Sequence, residues 1–178
     1  MHDVSRGGGW DGGGHWRARF YTSTSNSRNS FTSNPLAPWL YRQKRIYDYE
    51  GTVRQFLVDD KGMVLIACFG LVAHENDAER ATRCAMEIST DLRKERIISS
   101  SGVTTGEVYC GLVGGETRCE YALIGDVVNM AARLMASTSD EIRCDLATYT
   151  RSCTRVVFEK LEPIKVKGKE EKQQVFKP

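Results

Sequence analysis

An α+β domain, with helices on one face of a mixed sheet, is predicted by three features of this sequence. Strand-like runs alternate with helix-like ones along most of its length. Two strand-like runs, 52–58 and 63–69, flank Asp59-Asp60-Lys61-Gly62, a good hairpin turn. Residues 75–96 carry Ala78, Ala81, Ala85, Ile88 and Leu92 at helical spacing, with an acidic first turn and a basic last turn that suit the helix dipole. A length of 178 residues corresponds to one domain with a substantial core.

In chain order, glycine triplets at 7–9 and 12–14 precede a Ser/Thr/Asn-rich run at 22–34. Such composition buries too little apolar surface to offset ordering entropy, so residues 1–34 are expected to be a disordered leader. Only 16–21, W-R-A-R-F-Y, has strand character within it. Pro35 and Pro38 lead into a helix over 39–49, with Leu40, Ile46 and Tyr47 as its buried contacts. The almost wholly apolar 63–69 run reads as a central strand. Strands at 101–105 and 107–113, and a third ending at Ile124, precede a helix over 127–136. A short strand at 142–144, a small helix at 145–151, and strands at 155–158, 164–167 and 173–176 complete the chain.

The formal net charge of +2 is too small to argue for a nucleic-acid or membrane surface. Phe56 and Phe69 do not form the aromatic pattern of an RNA-binding sheet. The six cysteines form no C-x-x-C pair and stand at no zinc-like spacing, which suits reduced, buried thiols in an intracellular protein. No apolar run has the length of a membrane span, and the expected location is cytoplasmic.

The segment with most chemical content is 120–133, E-Y-A-L-I-G-D-V-V-N-M-A-A-R. A strand ends at a Gly125-Asp126 turn and a helix follows, with Asp126 expected as its N-cap. Asn129 and Arg133, four apart, project from one helical face. An amide and a guanidinium on a rigid element suit an anionic ligand, since Arg forks onto phosphate and Asn orients a sugar or base edge. Gly102, Gly106, Gly111, Gly114 and Gly115 do not follow a phosphate-loop spacing and are read as turns and close strand packing.

This segment resembles the signature helix of the class III nucleotidyl cyclases, most of all the soluble, bicarbonate-responsive adenylyl cyclases. G-V-T-T-G-E-V-Y-C-G-L-V-G at 102–114, F-L-V-D-D-K-G-M-V-L-I-A-C-F-G at 56–70 and P-I-K-V-K-G-K at 163–169 are similar to further family motifs and fall in the family's order. The resemblance covers about 46–176 and implies a ferredoxin-like core whose active site forms between two such domains.

It also implies roles. Asn129 matches the asparagine that orients the ribose, and Arg133 the arginine that stabilises transition-state charge. Lys169, with Lys167 as the other register, matches the lysine on the triphosphate. Gln55 and Ala122 occupy the purine-selecting positions, where relatives place a lysine and a threonine or aspartate; this leaves adenine and guanine both open, with ATP favoured. Lys61, in the hairpin turn, reads as exposed. Asp59 falls where the metal-binding half carries its second aspartate. The family's opening strand, with its F-x-D-[IM]-x-G-F motif and first metal aspartate, has no counterpart here. Three explanations are open: 16–22 substitutes for that strand, a partner chain pairs there, or the sequence is truncated or misassembled, with truncation favoured. The chain is therefore expected to supply the Asn/Arg half of a site. Mg²⁺ or Mn²⁺ would be held mainly by a second cyclase homology domain, and the chain alone would be weakly active or inactive. The rival expectation is an inactive, regulatory cyclase-like partner.

Overall fold

The computed structural model describes residues 15–16, 19–25, 37–59, 62–71, 74–115 and 117–178. Its main sheet contains β2 (Arg19–Ser25), β3 (Thr52–Asp59), β4 (Gly62–Phe69), β5 (Ser99–Thr105), β8 (Ile142–Asp145), β9 (Glu159–Lys160) and β10 (Val175–Lys177) in the order β3-β4-β2-β5-β8-β10-β9. All neighbours are antiparallel except β5 and β8. A smaller sheet holds β1 (His15–Trp16), β6 (Val108–Gly115) and β7 (Arg118–Ile124) in the order β1-β6-β7. The helices are α1 (Ala37–Asp48), α2 (Asp77–Lys94), α3 (Asp126–Ala136) and α4 (Leu146–Ser152).

The α+β class stands, with two corrections. The first concerns the leader: β2 lies between β4 and β5, pairing Arg19 with Phe69 and Thr105, and Ser25 with Met63 and Ser99. A segment of the chain itself, 19–25 where 16–22 was the candidate, therefore fills the central place. The Gly/Ser-rich flanks disguised it. Phe20, Tyr21, Thr22 and Thr24 are good strand formers, and two open ladders on either side favour a seventh strand more than composition opposes it. The remainder of the expected leader lies outside the described residues.

The second correction concerns the helices, which cover both faces. Leu65, Ala67, Phe69, Val103, Cys144 and Phe176 pack with Ile46 of α1 and with Ala81, Ala85, Ile88 and Leu92 of α2. Residues of opposite parity turn the other way: Cys68 packs with Ala131 of α3 and with Val108. Strand side chains alternate, so α1 and α2 share one face while α3 lies on the other. Every residue of β5 is buried, as a strand covered on both sides requires.

In α1, Ile46 is fully buried, but Leu40 and Tyr47 are 56% and 55% exposed, contrary to expectation. Leu40 and Tyr47 lie seven residues apart on one face, and that face is the outer one. The expected apolar residues of α2 are all buried. All six cysteines are free, with Cys68, Cys84, Cys110 and Cys144 buried. Burial pushes the Cys68 thiol up to about 12. Among the described residues no helix is long and apolar enough to cross a membrane.

Candidate functional site

Helix α3 is set tightly onto the sheet. A Cβ on Gly102 would lie 2.0 Å from the carbonyl oxygen of Ala131, so glycine is what permits this approach. Thr104 Oγ1 donates to the Val127 carbonyl at 2.8 Å, anchoring the first turn. Met130, Ala131 and Leu134 face inward. The opposite side of the helix carries Asn129, exposed, and Arg133, half-buried. Among the described residues Arg133 has no ion-pair partner.

Asp126 does not cap the helix as expected. The helix begins at Asp126, Gly125 takes the cap position, and no side chain accepts there. The Asp126 carboxylate pairs instead with Lys169, Oδ2 to Nζ 2.5 Å. The cap chemistry expected of it is performed elsewhere by Asp145, whose carboxylate accepts from the Thr148 N–H at 2.8 Å.

Lys169 reaches this position because the basic segment docks on α3. Val166 is buried against Met130 and Leu134, and the Lys169 N–H donates to the Val166 carbonyl at 3.1 Å across a tight turn. Gly168 occupies that turn at φ +79°, a left-handed conformation that favours glycine. A Cβ on it would lie 3.5 Å from an Arg133 Nη, so the turn passes against the guanidinium. Arg133 thereby lies against the residue that precedes Lys169. Lys167 is exposed. An open groove of about 760 Å³ runs alongside, lined by Asp126, Met130, Asp145, Arg151, Lys169 and Lys172. Neither Asn129 nor Arg133 lines it.

Gln55 and Ala122 lie on a second cluster, where β3 approaches β7. The β3–β4 register slips between Val53 and Gln55, leaving Arg54 as an extra residue. Arg54 Nη2 donates to the Tyr121 carbonyl at 2.8 Å, and its guanidinium carbon sits 4.4 Å from the Tyr121 ring centroid. The Cys110 thiol donates to the Tyr121 hydroxyl at 3.0 Å. That contact, with burial, raises the phenol above its ordinary range. Gln55 is exposed and Ala122 half-buried, each adjacent in sequence to a member of this contact. Sequence reasoning missed Arg54. The available signal was spacing: Val53 and Phe56 both pack toward the α1–α2 core yet stand three apart, where an unbroken strand requires an even interval.

Asp59 ends β3 opposite Gly62. Its side chain, with Asp60 and Lys61, lies outside the described residues. Among the described residues no three His, Cys, Asp or Glu side chains come together as a metal-holding group.

Residues 58–177 match the sequence model of the adenylate and guanylate cyclase catalytic domain. Adenylate cyclase type 10 of Homo sapiens is 34% identical over 123 residues, which cover 66% of this chain and 8% of that protein. Adenylate cyclase 1 of Rhizobium meliloti (strain 1021) is 28% identical over 134 residues, covering 68% of this chain and 20% of that protein. The chain thus spans a small part of the curated relatives it matches. The adenylyl cyclase CyaB from P. aeruginosa superposes with a TM-score of 0.77 at 20% identity, over 92% of this chain and 95% of that one. The guanylate cyclase domain of RhGC from Catenaria anguillulae, solved in complex with GTP, gives 0.75 at 22% identity, over 92% and 96%. Both likenesses speak to the fold.

Proposed function

Because this chain belongs to the adenylate and guanylate cyclase catalytic domain family, we propose that it supplies the Asn/Arg half of a nucleotide-cyclising site shared with a second cyclase homology domain. The substrate is a purine nucleoside triphosphate, ATP before GTP. The ribose 3′-oxygen attacks the α-phosphorus and pyrophosphate leaves, giving the 3′,5′-cyclic monophosphate for intracellular signalling. The observation that carries this reading is the gathering of Asn129, Arg133 and Lys169 on one open surface of α3. A facing domain would close this surface over a bound nucleotide and exclude water from it.

Each group has a task suited to its chemistry. Asn129, with a donor and an acceptor on one amide, holds the ribose in the attacking orientation. Arg133 opposes charge that builds on the α-phosphate oxygens as the new P–O bond forms. Lys169 neutralises the leaving pyrophosphate as a mobile point charge. Gln55 can donate to and accept from a base edge, whereas Ala122 only packs against it. Arg54 stands beside them and is the stronger donor. The described residues do not assemble a metal-binding group. The Mg²⁺ or Mn²⁺ requirement is placed mainly on the complementary domain, because the sequence has no counterpart of the family's first metal aspartate.

A second reading, a regulatory partner without turnover, is favoured by the absence of the family's F-x-D-[IM]-x-G-F sequence motif and by Gln55 and Ala122 in the purine positions. One assay separates the two: ATP and GTP offered separately, with Mg²⁺ and with Mn²⁺, to the chain alone and mixed with a metal-donating cyclase half. The half-site reading expects cyclic nucleotide only in the mixture, lost in Arg133→Ala. Paired, folded protein without product in any arm overturns it in favour of the regulatory reading.

A further inference from the structure

Asp126, Asn129 and Arg133 follow one another at intervals of three and four residues, so they form a single stripe along α3. The turn bearing Gly168 and Lys169 lies lengthwise over that stripe. At the N-terminal end of the helix, Lys169 Nζ is 2.5 Å from Asp126 Oδ2. Further along the helix, the turn's backbone at Gly168 passes close to the Arg133 guanidinium, as the position of an added Cβ demonstrates. The Arg133 guanidinium therefore lies beside the backbone of the turn whose next residue, Lys169, extends its ammonium to Asp126.

The pair contributes little to folding. The Asp126 and Lys169 side chains are 62% and 35% exposed, and ion pairs this wet are nearly neutral for stability. The buried side of the turn is already fixed by Val166 against Met130 and Leu134. What the carboxylate does determine is where the Lys169 ammonium rests and how freely it meets an anion.

We infer that Asp126 is a positioning residue that clamps Lys169 on the turn that passes Arg133, lowering the site's affinity for a polyphosphate while fixing the geometry in which it is held. This inference rests on the nucleotide-cyclase reading above. An incoming polyphosphate must compete with Asp126 for the lysine. Without the carboxylate, the lysine meets the anion more readily but from a wider range of rotamers. Ground-state binding tightens, and the orientation needed at the transition state is lost.

The test titrates inorganic tripolyphosphate into the full chain at low salt by calorimetry, comparing wild type with Asp126→Asn, Asp126→Glu and Arg133→Ala. Asp126→Asn should bind roughly three- to fivefold tighter, the effect of removing one solvent-screened opposing charge. Asp126→Glu, which retains the carboxylate, should stay near wild type, and Arg133→Ala should bind more weakly. In the mixed cyclase assay Asp126→Asn should lower kcat and KM together, a signature that a merely structural defect does not give. Unchanged or weaker binding by a folded Asp126→Asn variant, with binding still dependent on Arg133, overturns this inference and leaves the half-site reading standing. Absence of tripolyphosphate binding by the wild type overturns both.

Discussion

Gly102 of β5 lies directly beneath Ala131 of α3, so closely that a Cβ on the glycine would fall 2.0 Å from the alanine carbonyl oxygen. The obstructing atom is backbone, which cannot swing aside as a side chain can. Gly102→Ala should therefore displace the helix carrying Asn129 and Arg133 and destabilise the fold by about 1–3 kcal/mol. Urea unfolding followed by circular dichroism measures this, and an unchanged midpoint would mean the helix sits less tightly than described.

Asn129 and Arg133 project away from that interface. Asn129→Ala and Arg133→Ala should leave unfolding within about 0.5 kcal/mol of wild type. Each should lower the cyclase rate of the mixed assembly by roughly 10²–10³ if it acts on developing charge or ribose orientation. A loss of rate accompanied by an equal loss of stability would point to a packing role instead.

Arg54 and Tyr121 couple β3 to β7 through a backbone hydrogen bond and a ring contact. A double-mutant cycle with Arg54→Met and Tyr121→Leu should return a coupling of about 0.5–1 kcal/mol in the folding free energy. A value near zero would show that the guanidinium is held by the carbonyl alone.

Asp145 lends itself to a pH experiment. Burial raises its carboxyl above the ordinary value of 3.8, opposed by hydrogen bonds from Thr148 and Thr105. A carboxyl raised in the folded state binds its proton more tightly there than in the unfolded chain. Its contribution to stability is thus fully present below the unfolded value and declines as pH rises through the raised one. Asp145→Asn keeps a capping acceptor but cannot ionise, so its stability relative to wild type should improve as pH rises from below the ordinary carboxylate value towards neutrality. Asp91, lowered chiefly by Lys94, and Glu141, lowered chiefly by Lys177, run the other way: their stabilisation is present above the ordinary carboxylate value and lost as pH falls. The measurement is the difference between the Asn variant and wild type, which cancels these background groups. A difference that is flat with pH would refute the assignment.

What was legible in the sequence was whatever local pattern alone determines. The apolar spacing of α2 marked its buried face because a regular helix repeats that spacing over several turns. The Asn129–Arg133 interval placed both groups on one side of α3 for the same reason. The β2 strand was obscured because its order comes from β4 and β5 on either side, not from its own neighbours in sequence. Asp126 was misread since an acidic residue after glycine resembles a cap, and only the docked turn 169 reveals the lysine that takes its carboxylate. Helices were assigned to one face because alternation along β5 is invisible when both of its faces are buried.

The central place of β2 has a consequence for how this molecule comes into being. Arg19 pairs with Phe69 on one side and Thr105 on the other, so β2 finds its second neighbour only after β3, β4 and α2 have been made. Until then β2 presents an open ladder to any extended peptide nearby. Contacts this distant in sequence slow folding, because the intervening loops lose their freedom before the pairing compensates them. The nascent sheet thus carries an edge open to intermolecular strand pairing until β5 has been made.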